Sequence, residues 1–357
     1  MISTIVWGTG NVGRLAIRAI EAHPALALTA VLVNNPDKVG RDAGDLAGLG
    51  RDLGVAASDD IETVLAGRPQ AVVYAASGEL RPDDAIADIA KAIRAGAVVV
   101  TPSLYALYDQ RNAPPEVRDP IMAAISEGGG SLFVSGVDPG WGNDILPALL
   151  SGLGGTIEAI RCQEIFDYST YDQEDSVRYI VGMGQPMDYE PPMVAPTIPT
   201  MVWGGQIRLI ARALGVELDE IRETVTRRDL DETITTATMG EFEKGTQGAL
   251  RFEVQGIIDD EPRIVIEHVT RIHPSCAPDW PTPPDGDGAH RVIIEGSPRI
   301  EVTVEATENG NRAEGGNATA VGRLVNAIDW LVEAAPGLYD ALDVPLRPAT
   351  GKLGRKP

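Results

Sequence analysis

Three glycines near the N-terminus have the spacing of a nucleotide-binding turn. The pattern G-x-G-x-x-G lets the backbone turn sharply and lets a pyrophosphate approach the first amides of a helix. It is formed here by Gly8, Thr9, Gly10, Asn11, Val12 and Gly13. An apolar segment precedes the glycines and a helical pattern follows them, which favours dinucleotide binding. The alternative is an ordinary tight turn between a strand and a helix.

The residues at the end of the second predicted strand bear on which nicotinamide cofactor is bound. An NAD-specific site usually carries Asp or Glu about 20 residues after the glycines, where it binds the ribose 2′-hydroxyl. Asn34 and Asn35 occupy this place, and Lys38 and Arg41 follow. Neutral amides do not repel a 2′-phosphate and the two cations attract it, so we predict NADP(H), with NAD(H) also accepted. The alternative is that Lys38 and Arg41 are solvated loop cations.

Small residues end two later strands of the pattern. In open α/β sheets, ligands bind outside the carboxyl ends of the strands, and small side chains there leave room for a nicotinamide ring and its ribose. We therefore predict further cofactor contacts from Ala75, Ala76, Ser77, Thr101, Pro102 and Ser103. For each of these residues, an ordinary turn at a strand end is the alternative interpretation.

The segment 136–144 carries side chains suited to substrate contact. It leaves a predicted strand through proline and glycine residues, which fix an unusual backbone path into a helix. We expect Asp138, Trp141 and Asn143 to face the substrate. Asn143 could instead cap the helix, as its neighbour Asp144 is expected to do.

A second segment, 164–172, combines several carboxylates with the phenols of Tyr168 and Tyr171. This is unusual in a chain of which aromatic residues form only 5%. A phenol can orient a carbonyl or an imine, or it can relay a proton. We therefore expect at least one of the two tyrosines to line a substrate site, although a half-buried tyrosine also serves packing alone.

The composition is that of a globular protein with a strong acidic excess. Hydrophobic residues make up 43% of the 357, charged residues 23%, and the formal net charge is −22. Such a charge repels a phosphate backbone and argues against nucleic acid as a partner. No apolar run approaches the ~20 residues of a membrane span, and the N-terminus lacks a signal-peptide pattern. Two cysteines and four histidines show no metal-site spacing, so we predict a cytoplasmic protein without a metal site.

Strands and helices alternate over residues 1–145, which predicts a Rossmann doubly wound parallel sheet. Beyond this point, longer segments with alternating polarity predict an α+β domain with an open mixed or antiparallel sheet. Within it we expect helices near residues 205–214 and 218–223. A last amphipathic helix is predicted over residues 318–335.

Four motifs of the chain resemble the 2,4-diaminopentanoate dehydrogenases and the related native amine dehydrogenases, which share a dihydrodipicolinate reductase-like N-terminal domain. The motifs are GTGNVG, NPDKVGRDAG, GVDPGWGND and RVIIEGSP, at residues 8–13, 35–44, 136–144 and 291–298. The first is common to many nucleotide-binding proteins, whereas the last two are more specific. Residues 317–338 are also similar to the C-terminal segment of the family, so the resemblance covers nearly the whole chain.

The resemblance implies a reversible NAD(P)-dependent oxidative deamination, which in reverse is the reductive amination of a small ketone or aldehyde. It implies a Rossmann domain over residues 1–145 and an α+β substrate and dimerisation domain over 146–315. A C-terminal helix and tail, 316–357, would pack back on the Rossmann domain. The implied partners are a small amine, ketone or imine substrate and a second copy of the chain.

One departure from the family follows the strand that ends near Thr101. Family members with amine dehydrogenase activity carry a glutamate there, in a pattern such as S-T-C-E-E-L, and this carboxylate would bind the amine or ammonia. In this chain Leu104 or Tyr105 takes the place of the acid. We expect Leu104 to line the substrate site and Tyr105, Tyr168 or Tyr171 to act as the proton donor.

Two alternative functions follow from this departure. An NADPH-dependent imine or carbonyl reductase without amine dehydrogenase activity would not need the missing glutamate. A non-catalytic nucleotide-binding sensor would keep the fold and the glycines while lacking the chemistry. Turnover that requires ammonia, turnover without ammonia, and binding without turnover distinguish the three functions.

Overall fold

A computed structural model describes residues 1–78, 81–171 and 173–354 of the chain. Internal packing divides the chain into a first unit, Met1–Trp141 with Asn317–Pro357, and a second unit, Gly142–Gly316. Asp172, the last residue of the segment that carries the two tyrosines, lies outside the described residues. The last three residues of the predicted C-terminal part also lie outside them.

The first unit begins with alternating strands and helices. The strands are β1 (Ile2–Trp7), β2 (Leu26–Leu32), β3 (Ala57–Ser58), β4 (Ala71–Tyr74), β5 (Val98–Thr101) and β6 (Ser131–Val134). The helices are α1 (Asn11–Glu21), α2 (Ala43–Leu46), α3 (Ile61–Ala66), α4 (Pro82–Arg94) and α5 (Pro115–Gly128). The strands pair in parallel in the order β3-β2-β1-β4-β5-β6. The strand order reverses beside β1, so the predicted doubly wound parallel sheet is confirmed.

The second unit is built on a mixed sheet. Its elements are α6 (Ile145–Ser151), β7 (Thr156–Asp167), α7 (Ile198–Leu214), β8 (Glu220–Asp229), β9 (Ile234–Thr236), β10 (Gly240–Phe242), β11 (Gln247–Ile258), β12 (Glu261–Arg271), β13 (Gly288–Ser297) and β14 (Ile300–Val304). Six strands form the order β14-β13-β7-β12-β11-β8, in which only β7 and β12 run parallel to each other. The expectation of an α+β part with a mixed sheet is therefore confirmed. Strands β9 and β10 form a separate two-stranded ribbon.

Helix α7 covers one face of this mixed sheet. Its Trp203 contacts Phe252 of β11, with ring centroids 4.9 Å apart. A Cβ atom added at Gly256 of the same strand would lie 2.6 Å from Ile207, so the glycine allows the helix to approach closely. Because side chains alternate along a strand, Phe252 and Gly256 define the covered face, and odd-numbered residues near them face the other way.

The C-terminal part adds helix α8 (Arg312–Glu333) and strand β15 (Leu338–Tyr339), and β15 pairs in parallel with β6. Apolar side chains cover both faces of the parallel sheet. On one face, Ile17 of α1 belongs to the same buried cluster as Leu324 of α8. On the other, Ile89 of α4 clusters with Ile121 of α5. Among the described residues, no helix is both long and apolar enough to cross a membrane.

The sequence-based prediction of a helix at residues 218–223 is wrong. These residues lead into β8, an edge strand that pairs antiparallel with β11. The β-branched residues Thr224 and Val225 and the backbone partners offered by β11 favour the strand. Helix α7 also begins at Ile198, earlier than predicted.

Candidate nucleotide and substrate sites

The glycine turn between β1 and α1 packs against the end of β4. Gly8 has φ +99°, and a Cβ atom there would lie 2.8 Å from the amide nitrogen of Ala76. A Cβ atom at Gly13 would lie 1.9 Å from the carbonyl oxygen of Gly8. A Cβ atom at Gly10 would meet nothing within 4 Å. Gly8 and Gly13 are therefore needed by the protein's own packing, whereas Gly10 faces open space.

The open space at Gly10 lies at the amino end of α1. Gly10 is the N-cap residue, in extended conformation, and it has no side chain to accept the first amide hydrogens of the helix. No acidic residue stands in the first turn. Uncapped amides and the helix dipole favour an anion at this point, and the missing Cβ atom lets one approach. This geometry fits the pyrophosphate of a dinucleotide.

Lys38 reaches the glycine turn from the loop after β2. Its Nζ donates to the carbonyl oxygen and to Oγ1 of Thr9, both at 3.2 Å. Asn35 accepts a hydrogen bond from the amide of Asp37 and so caps the short 3₁₀ turn that holds Lys38, while Asn34 is exposed. Arg41 pairs with Asp45 in solvent.

Hydrogen bonds join the carboxyl ends of β4 and β5. Thr101 Oγ1 donates to the carbonyl of Tyr74 at 2.8 Å and accepts from the amide of Ser103 at 3.0 Å. Ser103 Oγ donates to the carbonyl of Ala76 at 2.7 Å. Together with the contact between Gly8 and Ala76, these bonds bring the ends of β1, β4 and β5 to one edge of the sheet. Ala75 and Pro102 are half-buried at this edge, and Ser77 is exposed.

Leu104 has the left-handed conformation, with φ +64° and ψ +63°. Its side chain is buried in the apolar cluster that also holds Leu107 and Tyr108. A β-carbon is unfavourable in this conformation, so the fixed path of the chain after β5 imposes some strain at this position. Tyr105 follows, half-buried, with its ring 6.3 Å from that of Tyr108.

The segment 136–144 crosses the boundary between the two units. Asp138 and Trp141 belong to the first unit and are half-buried. Trp141 Nε1 donates to Thr319 Oγ1 of α8 at 2.9 Å, which fixes the indole. Asn143 belongs to the second unit and is fully buried. Asp144 caps α6 through the amide of Ile145, as expected.

Tyr168 and Tyr171 follow the end of β7 in the second unit. Their rings stack at 5.0 Å with an interplanar angle of 15°, so the structure brings the two phenols together. Thr238 Oγ1 donates to the carbonyl of Tyr171 at 3.0 Å and holds the turn in place. Both tyrosines are half-buried.

Glu164 of β7 lies between two histidines that sequence analysis did not select. It stands directly opposite His268 of β12 and His290 of β13. Its carboxylate oxygens lie 3.6 Å from His268 Nδ1 and 3.3 Å from His290 Nε2. The imidazole side chains are 2% and 5% exposed, whereas that of Glu164 is 16% exposed. We call these three residues the Glu–His cluster.

Aromatic rings hold both imidazoles of the Glu–His cluster. His268 stacks on Phe252 with centroids 4.6 Å apart and an angle of 7°, and Trp203 lies 4.5 Å from it. His290 packs against the edge of Phe166 at 5.3 Å. These contacts restrict the rotation of the imidazole rings, so their distances to Glu164 are set by the packing of the unit.

The charge state of Glu164 depends on the two imidazoles. Burial by itself raises the pKa of the carboxyl group, because the charged form loses its hydration. Hydrogen bonds and charge from His268 and His290 outweigh burial and lower the pKa to about 2. Glu164 is therefore ionised at neutral pH, where it can bind a cation but cannot donate a proton.

One signal in the sequence could have revealed the Glu–His cluster. Along β12, Ile264, Ile266 and His268 recur with the period of 2 that marks one face of a strand. A histidine in line with buried isoleucines is an inward-facing polar residue, and Glu164 occupies the matching place on β7. Pairing Glu164 with His268 also requires the register between β7 and β12, which no local sequence pattern indicates.

Two family models match the chain. Residues 143–355 match the model described as the 2,4-diaminopentanoate dehydrogenase C-terminal domain. Residues 2–99 match the model described as the dihydrodipicolinate reductase N-terminus. The two matches together span most of the chain and agree with the family that the sequence motifs resemble.

A Streptomyces virginiae protein named amine dehydrogenase is 79% identical over 358 residues, which cover 100% of this chain and 99% of that protein. Among solved structures, an amine dehydrogenase from Mycobacterium smegmatis has a TM-score of 0.77 at 20% identity and covers 97% of both chains. A Synechocystis biliverdin reductase, solved with biliverdin and NADP+, has a TM-score of 0.53 at 12% identity over 95% of this chain and 93% of that one. At these identities the two structures bear on the fold alone.

Proposed function

The chain belongs to the 2,4-diaminopentanoate dehydrogenase family, and from this premise we propose that it catalyses the reversible oxidative deamination of a small amine. It is an NAD(P)-dependent oxidoreductase of the amine dehydrogenase-like group. The observation that carries the proposal is the match of the whole chain, at 79% identity, to a protein named amine dehydrogenase. The open glycine turn at α1 supports it, because the turn offers a place for the cofactor's pyrophosphate.

The cofactor would be held at the carboxyl edge of the parallel sheet. Gly10 and the first amides of α1 would bind the pyrophosphate, and Lys38 would attract a 2′-phosphate. The small residues after β4 and β5 would leave room for the nicotinamide riboside. When bound, the nicotinamide accepts or donates a hydride at its C4 atom. Asp138, Trp141, Asn143, Leu104 and the three tyrosines remain our proposals for contacts to the substrate.

In the deamination direction, an alkylammonium ion R₂CH–NH₃⁺, NAD(P)⁺ and water give R₂C=O, NH₄⁺, NAD(P)H and one proton. The C–H and C–N bonds break and a C=O bond forms, so the protein must bind a cationic nitrogen and transfer protons to and from it. Leu104 or Tyr105 stands where family members with amine dehydrogenase activity carry a carboxylate, and this difference favours a second candidate, an ammonia-independent imine or carbonyl reductase.

The dependence on ammonia decides between these two functions. With NADPH or NADH and a panel of small ketones and aldehydes, we expect cofactor oxidation at least about tenfold faster in ammonium chloride than in sodium chloride at equal ionic strength. Absorbance at the reduced nicotinamide band measures the rate, and detection of the amine confirms the product. Equal rates in the two salts would favour the ammonia-independent reductase.

Lys38→Ala tests whether the enzyme accepts NADP(H). We expect the affinity for NADPH to fall about tenfold, the equivalent of one charge-assisted contact, and the affinity for NADH to change little. Fluorescence titration of the reduced cofactors measures both values. Lys91→Ala, which removes an exposed lysine of α4, serves as the matched control. If Lys38→Ala and Arg41→Ala leave both affinities unchanged, neither cation binds a 2′-phosphate.

We propose a cytoplasmic homodimer. The mixed-sheet face opposite α7 carries a charged and polar surface around Arg161 and Arg251, whose side chains are about one-third exposed. A second copy could cover this face, in line with the family resemblance. The cysteines, Cys162 and Cys276, are buried thiols far apart in sequence, which suits a reducing compartment.

A further inference from the structure

The Glu–His cluster places three ionisable side chains next to an apolar row on the face of the mixed sheet that α7 covers. Two residues earlier along β7, the same face carries Cys162, which lies between Ile266 of β12 and Val292 of β13. All three residues are buried. The next row across the same three strands consists of ionisable side chains only. Packing against α7 does not require this change, because apolar residues at these positions would avoid the cost of dehydrating a carboxylate.

The partners of Glu164 differ from those of the buried carboxylates on the opposite face. Glu267 there contacts Arg161 and Arg251, whose charges are permanent. Among the described residues, the ion-pair partners of Glu164 are imidazoles, which are charged only when protonated. An imidazolium can release its proton and leave the carboxylate free to bind another cation, whereas a guanidinium cannot.

Exposure within the cluster points to the group that a ligand contacts. Glu164 exposes 16% of its side chain, and the imidazoles on either side of it expose 2% and 5%. A cationic nitrogen can therefore reach the carboxylate, which in turn contacts both imidazoles. This arrangement suits binding of the cation by Glu164 and proton exchange through His268 or His290.

We propose that Glu164 binds the cationic nitrogen of the substrate and that His268 or His290 exchanges protons with it. The inference rests on the proposed amine dehydrogenase function and assigns to a residue of β7 the carboxylate role left open after β5. In deamination, the bound R₂CH–NH₃⁺ gives one N–H proton to a neutral imidazole nitrogen, and the electron pair of that N–H bond stays on the nitrogen of R₂CH–NH₂. In amination the imidazolium returns the proton. The carboxylate itself is unchanged.

Glu164→Gln tests the proposal in kinetics. The substitution keeps the size of the side chain but removes its negative charge, so we expect KM for ammonia to rise at least about tenfold and kcat to fall about a hundredfold. NADPH affinity should stay within about twofold of the wild-type value, and Glu164→Asp should restore part of the loss. Glu158→Gln, the same change at an exposed position of β7, should leave all these values unchanged.

An ammonium titration followed by NMR tests the cluster without turnover. The chain has four histidines, so their ring nitrogens can be labelled with ¹⁵N and assigned by substitution. Ammonium chloride, compared with sodium chloride, should shift the His268 and His290 signals in wild type and not in Glu164→Gln. The signals of His23 and His273 should not move. Thermal unfolding of each variant shows whether it is folded.

The outcomes separate this inference from the proposed function. Unchanged ammonia kinetics in folded Glu164→Gln, or no ammonium-dependent shift in wild type, would overturn the role of Glu164 even if the enzyme aminates ketones. Conversely, wild-type enzyme without ammonia-dependent turnover contradicts the proposed function, while the ammonium-induced shifts still report directly on cation binding at Glu164.

Discussion

Arg161→Met is expected to lower the free energy of unfolding by about 2 kcal/mol, less than the ~3–5 kcal/mol lost when a buried ion pair is broken. Glu253 and Glu267 stand directly opposite each other on β11 and β12, a repulsive arrangement. Arg161 bridges them, with Nη1 at 2.7 Å and 2.6 Å from the two carboxylates. The substitution keeps the apolar stem and removes the charge. The effect is smaller than for a fully buried pair because the side chain of Arg161 is 32% exposed and because Arg251 also contacts both carboxylates.

Arg94→Met is a matched control for the same substitution at an exposed ion pair. Arg94 pairs with Glu127 between α4 and α5, with the two side chains 45% and 58% exposed. Its removal should cost less than about 1 kcal/mol. Denaturant unfolding at fixed protein concentration measures both variants, since association would also affect the apparent stability. Equal effects of the two substitutions would mean that Arg161 does not neutralise the two facing carboxylates.

The effect of Arg161→Met should also depend on pH. Burial raises the pKa of Glu253, but the hydrogen bond and charge of Arg161 lower it to a value below the ordinary 4.5. A carboxyl group with a depressed pKa stabilises the fold fully above its ordinary pKa and loses that contribution as pH falls through the folded-state value. The difference between wild type and Arg161→Met should therefore be constant near neutral pH and shrink in acid.

The parallel sheet could be predicted from sequence because its signals are local. Each strand such as residues 71–74 is a short apolar run, and each following helix has its own amphipathic pattern. The strand β15 was missed, since the two residues Leu338 and Tyr339 pair with β6 through a contact distant in sequence. The helix at 218–223 was wrongly predicted because an edge strand with charged residues on its exposed face resembles a solvated helix.

The residues of the candidate sites likewise fall into two groups, those marked by a local sequence pattern and those brought together by contacts distant in sequence. The glycine turn, Lys38 and Ser103 could be selected because a motif or a strand end marks them in the sequence. Glu164 and His268 are 104 residues apart and meet only through the parallel pairing of β7 and β12. Placing them together requires the register of the mixed sheet, which depends on long-range pairing. The sequence analysis therefore selected Tyr168 and Tyr171, a few residues after Glu164, but not the two histidines that contact Glu164.

Gly10→Ala and Gly13→Ala are expected to have different effects, although both belong to the same motif. At Gly13 the added Cβ atom would lie 1.9 Å from the carbonyl oxygen of Gly8, so the turn must move. We expect a loss of about 3 kcal/mol in stability and at least about a hundredfold in NADPH affinity. At Gly10 the added atom meets no protein atom within 4 Å. Stability should therefore fall by at most about 1 kcal/mol, the cost of alanine at an N-cap.

The affinity of Gly10→Ala then decides whether the turn binds a nucleotide. If a pyrophosphate occupies the open space at the start of α1, the methyl group displaces it, and NADPH affinity should fall at least about tenfold in a stable protein. Gly322→Ala, another glycine without neighbouring atoms within 4 Å, should leave affinity unchanged because it lies within α8. Fluorescence titration and thermal unfolding without cofactor measure the two properties separately. If Gly10→Ala binds NADPH as tightly as wild type, the glycine motif serves only to form a tight turn. Gly10 is the position that tests this, because a Cβ atom at Gly8 or Gly13 would also disturb the fold.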